Sequence, residues 1–172
     1  MRRWRTRMVS CGRTAGVACA LVLAARGAGA QAAASIDPCT LSTSEEFQRA
    51  YGINPKIGLL PDTPELTQMN WGPHCDFADG SIDLFTSKSE LERVLGLMEA
   101  TKQRTPVSGL GKQAFFTQIY PGDQYRHRGI LAIETGSQLV AISMDVREGE
   151  PADATRPKLE GLAKLVLPRL KS

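Results

Sequence analysis

Beyond residue 35 the apolar positions recur at two periods, and the places where one period gives way to the other divide the chain into elements. Leu91, Val94, Leu95 and Met98 fall at three-four spacing, with Glu92, Arg93 and Glu99 on other faces. This predicts an amphipathic helix of about four turns, entered through a Ser87–Glu90 capping box. Leu159, Leu162, Ala163, Val166, Leu167 and Leu170 predict a closing helix, with Pro157 standing where a helix can begin. A shorter helix near residue 45 has two available reciprocal caps, Ser42 with Glu45 or Thr43 with Glu46. It carries Phe47 and Tyr51 and ends at Gly52, which accepts a left-handed backbone.

Between the helices the period is two. Ser81 to Thr86 alternates around Ile82 and Leu84, and the Asp79-Gly80 pair before it signals a tight turn, so a hairpin is expected whose first strand carries Cys75. Leu66 to Ala78 alternates more weakly and is broken by Gly72-Pro73. Ala114 to Tyr120 reads as a strand ended by Pro121-Gly122-Asp123. Gly129 to Glu134 and Gln138 to Asp145 form the clearest hairpin, around Thr135-Gly136-Ser137. Residues 53–64 and 147–157, rich in proline or in acid, read as loops where recognition residues collect. The expectation is an α+β fold, an antiparallel β-sheet covered by amphipathic helices in the order α-β-β-α-β-β-β-α. A doubly wound nucleotide-binding fold is disfavoured.

The front of the chain follows another logic. Residues 1–34 hold six arginines and no acidic residue, then an apolar core from about Ala15 to Ala25, then the Ala28 to Ala34 small-residue tract. This is the order of a secretory signal peptide, with cleavage after Ala30, Ala32 or Ala34 and a single exported domain over 35–172. The apolar core is too short to span a bilayer, so no stable transmembrane anchor is expected. Cys19 lies inside that core, not after it as a lipid-attachment cysteine would.

Removing the leader changes the charge. From Ser35 onward there are 15 Lys and Arg against 18 Asp and Glu, a formal −3, whereas the whole chain is +3. No basic surface remains to track phosphates, and nucleic acid is not an expected partner. Of the four cysteines, Cys39 and Cys75 remain, and in an oxidising periplasmic or secreted setting an even pair predicts a disulfide.

Candidate chemistry is sparse. His74 stands near Asp76 and Asp79 but matches no zinc spacing, and its expected setting is a solvated turn; no metal and no cofactor is expected. Tyr125-Arg126-His127-Arg128 is either a polar strand edge or a small recognition patch. Gly109-Leu110-Gly111-Lys112 lacks the spacing of a phosphate loop and reads as a turn before a strand. Asp83 and Asp145 show no spacing that supports a glycosidase pair. Trp71 is expected in the core beside the disulfide, and Trp71 and Tyr120 are the aromatic residues placed to line a groove. The candidate binding surface is therefore Trp71, His74, Tyr120, Tyr125, Arg126, His127 and Arg128, with no catalytic residue assigned.

Asp37-Pro38-Cys39-Thr40-Leu41-Ser42-Thr43 before a helix, Cys75, Val107 to Phe115 and the closing Leu162 to Leu170 together resemble the DUF3558-like group of small exported bacterial lipoproteins with one cysteine pair. The usual lipid-bearing cysteine of that group has no counterpart here. The resemblance implies an α+β envelope domain and carries no catalytic residues with it. The expected function is a non-catalytic secreted or periplasmic binding or accessory module, its partner an envelope protein, a peptide or a small hydrophobic ligand. A secreted hydrolase is the alternative. A groove lined by apolar side chains would favour the first, and an aligned base and nucleophile the second.

Overall fold

A computed structural model describes residues 36–53, 64–97, 103–119, 127–136 and 138–170. The leader read over 1–34, most of the 53–64 loop, and Tyr120, Tyr125 and Arg126 lie outside the described residues. In chain order, a single 3-10 turn at Pro38–Thr40 precedes α1 (Ser44–Tyr51), β1 (Glu65–Met69), β2 (Gly72–Phe77), β3 (Gly80–Phe85) and α2 (Lys88–Leu97). Then come β4 (Thr105–Val107), β5 (Gln113–Ile119), β6 (Arg128–Glu134), β7 (Leu139–Asp145), a 3-10 turn at Ala152–Ala154 and α3 (Thr155–Arg169).

The architecture is α+β, with one antiparallel sheet, as expected. The strand count differs: the sequence reading has two strands before α2 and three after it, whereas the described residues form three and four. The two additional strands are the two edges of the sheet. β1 is mostly exposed and so lacks the alternation that marks a buried face. β4 is three residues long and carries Pro106, which an edge tolerates.

The sheet order is β1-β2-β3-β7-β6-β5-β4. After β3 the chain leaves the sheet through α2 and lands on the far edge as β4. It then returns by successive neighbours until β7 pairs with β3 from Phe85↔Leu139 to Gly80↔Met144. The last strand of the chain thus closes the middle of the sheet.

Local signals explain the helix ends. Thr43 Oγ1 accepts from Glu46 N at 3.1 Å, while the Glu46 carboxylate accepts from Thr43 N at 2.9 Å, so the second of the two available caps is the one used. Gly52 ends α1 at φ 89°. α3 begins at Thr155, two residues before the proline expected to open it, which leaves Pro157 in the first turn, where a missing N–H costs nothing. α3 crosses β6 at Gly129, where a side chain would not fit: a Cβ would lie 2.0 Å from Thr155 Oγ1.

The two faces of the sheet bury different things. Toward α1 and α3 point Cys75, Ile82, Leu84, Leu131, Ile133, Val140, Ile142 and Met144, which join Phe47, Leu159, Leu162 and Val166 in the main core. The Cys39–Cys75 disulfide clamps the first turn to β2 on this side, with Cα atoms 5.2 Å apart. Arg169 near the end of α3 donates to both carboxylate oxygens of Glu46 at 2.7 Å and to Leu41 O at 3.0 Å, tying the two helices together. Toward α2 point Phe85, Ile119, Ile130, Ala132 and Ala141, which pack with Leu91, Val94 and Leu95 in a second, smaller core.

Candidate functional site

The α2 face is incompletely filled, and the register shows why. Pairing places Asp76, Ser81, Ser143 and Ile130 in one row across β2, β3, β7 and β6, and His74, Asp83, Ala141 and Ala132 in the next. Small or polar residues occupy the middle of both rows, while Trp71, Phe85 and the α2 residues Leu91, Val94 and Leu95 stand around them. What remains is a cavity of about 270 Å³ between the sheet and α2, with a predominantly apolar lining. On α2, Glu92 pairs with both outer nitrogens of Arg104, and the Arg104 guanidinium in turn lies 4.7 Å from the Phe115 ring centre.

The polar floor is a connected chain. Asp83 Oδ1 accepts from Trp71 Nε1 at 3.1 Å and lies 2.6 Å from His74 Nδ1, while its Oδ2 accepts from Ser81 Oγ at 3.0 Å. Ser81 Oγ is in turn 2.8 Å from Ser143 Oγ. The other ring nitrogen, His74 Nε2, is 2.9 Å from Asp76 Oδ2. Beside this chain Arg128 Nε donates to Asp145 Oδ1 at 2.8 Å.

His74 is therefore held between two carboxylates. Burial by itself disfavours its charged form, but the hydrogen bond to Asp83 and the charges of Asp83 and Asp76 outweigh that, so its pKa is raised above the ordinary value of 6.5. With both nitrogens directed at carboxylates, the imidazolium is the form that satisfies every contact.

Three of the expected site residues meet here. Trp71, His74 and Arg128 all line the cavity. All three are placed differently from expectation. His74 is 8% exposed and lies inside β2, not in a solvated turn, because the tight turn begins only at Ala78, after β2 has ended at Phe77. Trp71 sits in the turn between β1 and β2 and packs with the α2 core, on the side of the sheet opposite Cys75, not beside the disulfide. Arg128 is in an internal strand rather than at an edge.

His127 goes elsewhere. It borders a wider depression of about 600 Å³ with Tyr51, Arg147 and Glu150. There the Arg147 guanidinium lies 4.6 Å from the Tyr51 ring centre and Lys158 pairs with Glu150 at 2.8 Å. Among the described residues its lining is mainly charged and polar, whereas the smaller cavity combines apolar walls with convergent polar groups and is taken as the candidate site. Asp83 pairs with His74 and Asp145 with Arg128. The Gly109 to Gly111 segment is a turn before β5, with φ of 79° and 62° at its glycines. Among the described residues, no three His, Cys, Asp or Glu side chains are grouped to hold a metal ion, and no helix is long and apolar enough to cross a membrane.

Ser81 and Ser143 are the site residues absent from the sequence reading, and Asp83 enters it only as half of an unsupported glycosidase pair. Their signal was present: polar residues at alternate positions of β3, a strand buried along its whole length, and a serine inside the apolar run of β7. Comparison with known proteins adds nothing to the assignment, since no protein-family model, curated protein or solved structure matches the chain.

Proposed function

We propose that the chain is a non-catalytic exported binding module, working in the periplasm or outside the cell, and that its ligand is a small, mostly apolar molecule held between the sheet and α2. The observation that carries this reading is the cavity itself: apolar walls from Trp71, Phe85 and α2 over a floor whose polar groups are already hydrogen-bonded to one another. Such a floor keeps its shape when empty, and preorganised concave sites of this composition are the usual form of small-ligand sites. At about 270 Å³ it falls just below the roughly 300–1,000 Å³ of sites for drug-sized molecules, which favours a small occupant over a peptide.

The same geometry gives the hydrolase reading little support. A serine nucleophile needs a histidine to take its proton, but both ring nitrogens of His74 face carboxylates and Ser81 donates to Asp83. The Cys39–Cys75 disulfide and the arginine-bearing leader support export, and membership of the DUF3558-like group is part of the same proposal.

The test is recovery of the protein from the culture fluid or periplasm of a producing bacterium, alongside an Ala141→Phe variant whose ring would occupy the cavity. The wild type should begin between Gln31 and Ser35 and release a small molecule on organic extraction, and the folded variant should release none. An intact Met1, or identical extracts from the two proteins, would overturn the reading.

A further inference from the structure

The hydrogens in the cavity floor can be assigned by elimination. Asp83 is an acceptor and takes Trp71 N–H, His74 N–H and Ser81 O–H. Ser81 has one hydroxyl hydrogen, which is thereby committed, so in the 2.8 Å contact with Ser143 it is Ser143 that donates. Ser143 therefore lines the cavity with its hydrogen turned away, and among the described residues no group donates to its oxygen lone pairs. It is 4% exposed, so bulk water does not readily serve those lone pairs.

Each cation is matched in place, and the carboxylates outnumber them by one. Arg128 is matched by Asp145, and His74 by Asp83 and Asp76. An anion entering beside Arg128 meets a site with three carboxylates and at most two cations. An ammonium would have to give up its hydration for an oxygen of Asp76, whose side chain is 55% exposed and where an ion pair is worth little.

Resting on the reading that this cavity is a ligand site, we propose that it selects an uncharged molecule that is mostly apolar and donates one hydrogen bond to Ser143 Oγ. The class is that of small alcohols, phenols and secondary amides with a compact hydrocarbon body.

Four probes with closely matched bodies test this: cyclohexylmethanol, its methyl ether, cyclohexylmethylammonium and cyclohexanecarboxylate. None absorbs with indole, and Trp71 is the sole tryptophan beyond residue 34, so its fluorescence reports occupancy, with calorimetry as a second readout. The alcohol should bind about fivefold tighter than the ether, the yield of one net hydrogen bond. Both charged probes should bind at least about tenfold more weakly than the alcohol, because burying an unmatched charge is costly. Ser143→Ala should erase the gap between alcohol and ether and leave the ether unchanged. Equal or tighter binding of either charged probe, or a gap that survives in a folded Ser143→Ala variant, overturns the inference while leaving the cavity a ligand site. Should the variant fail to fold, the ranking of the four probes on the wild type decides. Absence of binding by all four removes the ligand site and the inference together.

Discussion

The two faces of this sheet are made by alternate residues of the same strands, yet they are built to different ends. Toward α1 and α3, β7 presents Val140, Ile142 and Met144; toward α2 it presents Ala141, Ser143 and Asp145. The first face is sealed by a long helix, a short one and a disulfide. The second is covered by one helix and keeps a cavity floored with hydrogen-bonded polar groups. Large complementary side chains contribute most of the stability, and small polar ones on the reverse side leave room for a ligand without weakening the sealed face. One thin layer can thus separate the part that holds the fold from the part that keeps a cavity.

The difference can be broken at several points. Replacing Cys39 and Cys75 together by serine should have the largest effect, up to about 4 kcal/mol for a closed loop of this length, seen as a lower denaturation midpoint that added reductant does not lower further. Leu162→Ala on the sealed face should cost about 3 kcal/mol, whereas Leu95→Ala should cost about half as much, since it widens a cavity that already exists; urea titration compares the two. Equal losses would mean that the α2 face is packed as tightly as the other.

Smaller effects sharpen the comparison through pH. On the sealed face, the hydrogen bonds from Arg169 hold the Glu46 carboxyl at about 2, down from 4.5, against the opposing effect of its partial burial. A depressed acid stabilises the fold above its ordinary value and loses that contribution as pH falls through the folded one. Glu46→Gln should therefore cost about 1–2 kcal/mol at neutral pH and flatten the decline in thermal stability between pH 4.5 and 2. On the α2 face the sign reverses. His74 has a raised pKa, so its contribution is complete below its ordinary value of 6.5 and is lost as pH rises above it through the folded value. Asp83 and Asp76 are the charges facing it, with Trp71 and Ser81 holding Asp83 in place. His74→Gln should remove this decline above pH 6.5 and leave the acid limb untouched, the smallest of the four effects. A decline that persists in His74→Gln would assign it to another group.

Much of the fold was legible along the chain because its causes are local. The Thr43–Glu46 cap spans four residues, the Asp79-Gly80 pair marks a hairpin whose turn residues are Ala78 and Asp79 with Gly80 opening β3, and the periods of Leu91 to Leu95 and Leu159 to Val166 mark helices without reference to any distant residue. The Cys39–Cys75 pairing needed only a count of the cysteines beyond residue 34. The edge strands were less visible because an edge is paired on one side only and, for β1, carries little buried surface. The cavity was not legible at all. Ser81 and Ser143 are 62 positions apart, and they meet only because β7 returns from the far edge to lie against β3 in one register. Sequence by itself determined which segments are helix or strand and which face of each is apolar, since those follow from neighbours a few residues away. Only the tertiary structure decided that Trp71, His74, Arg128 and Ser143 share one cavity, because strand order and register are set by closure of the whole chain around its core.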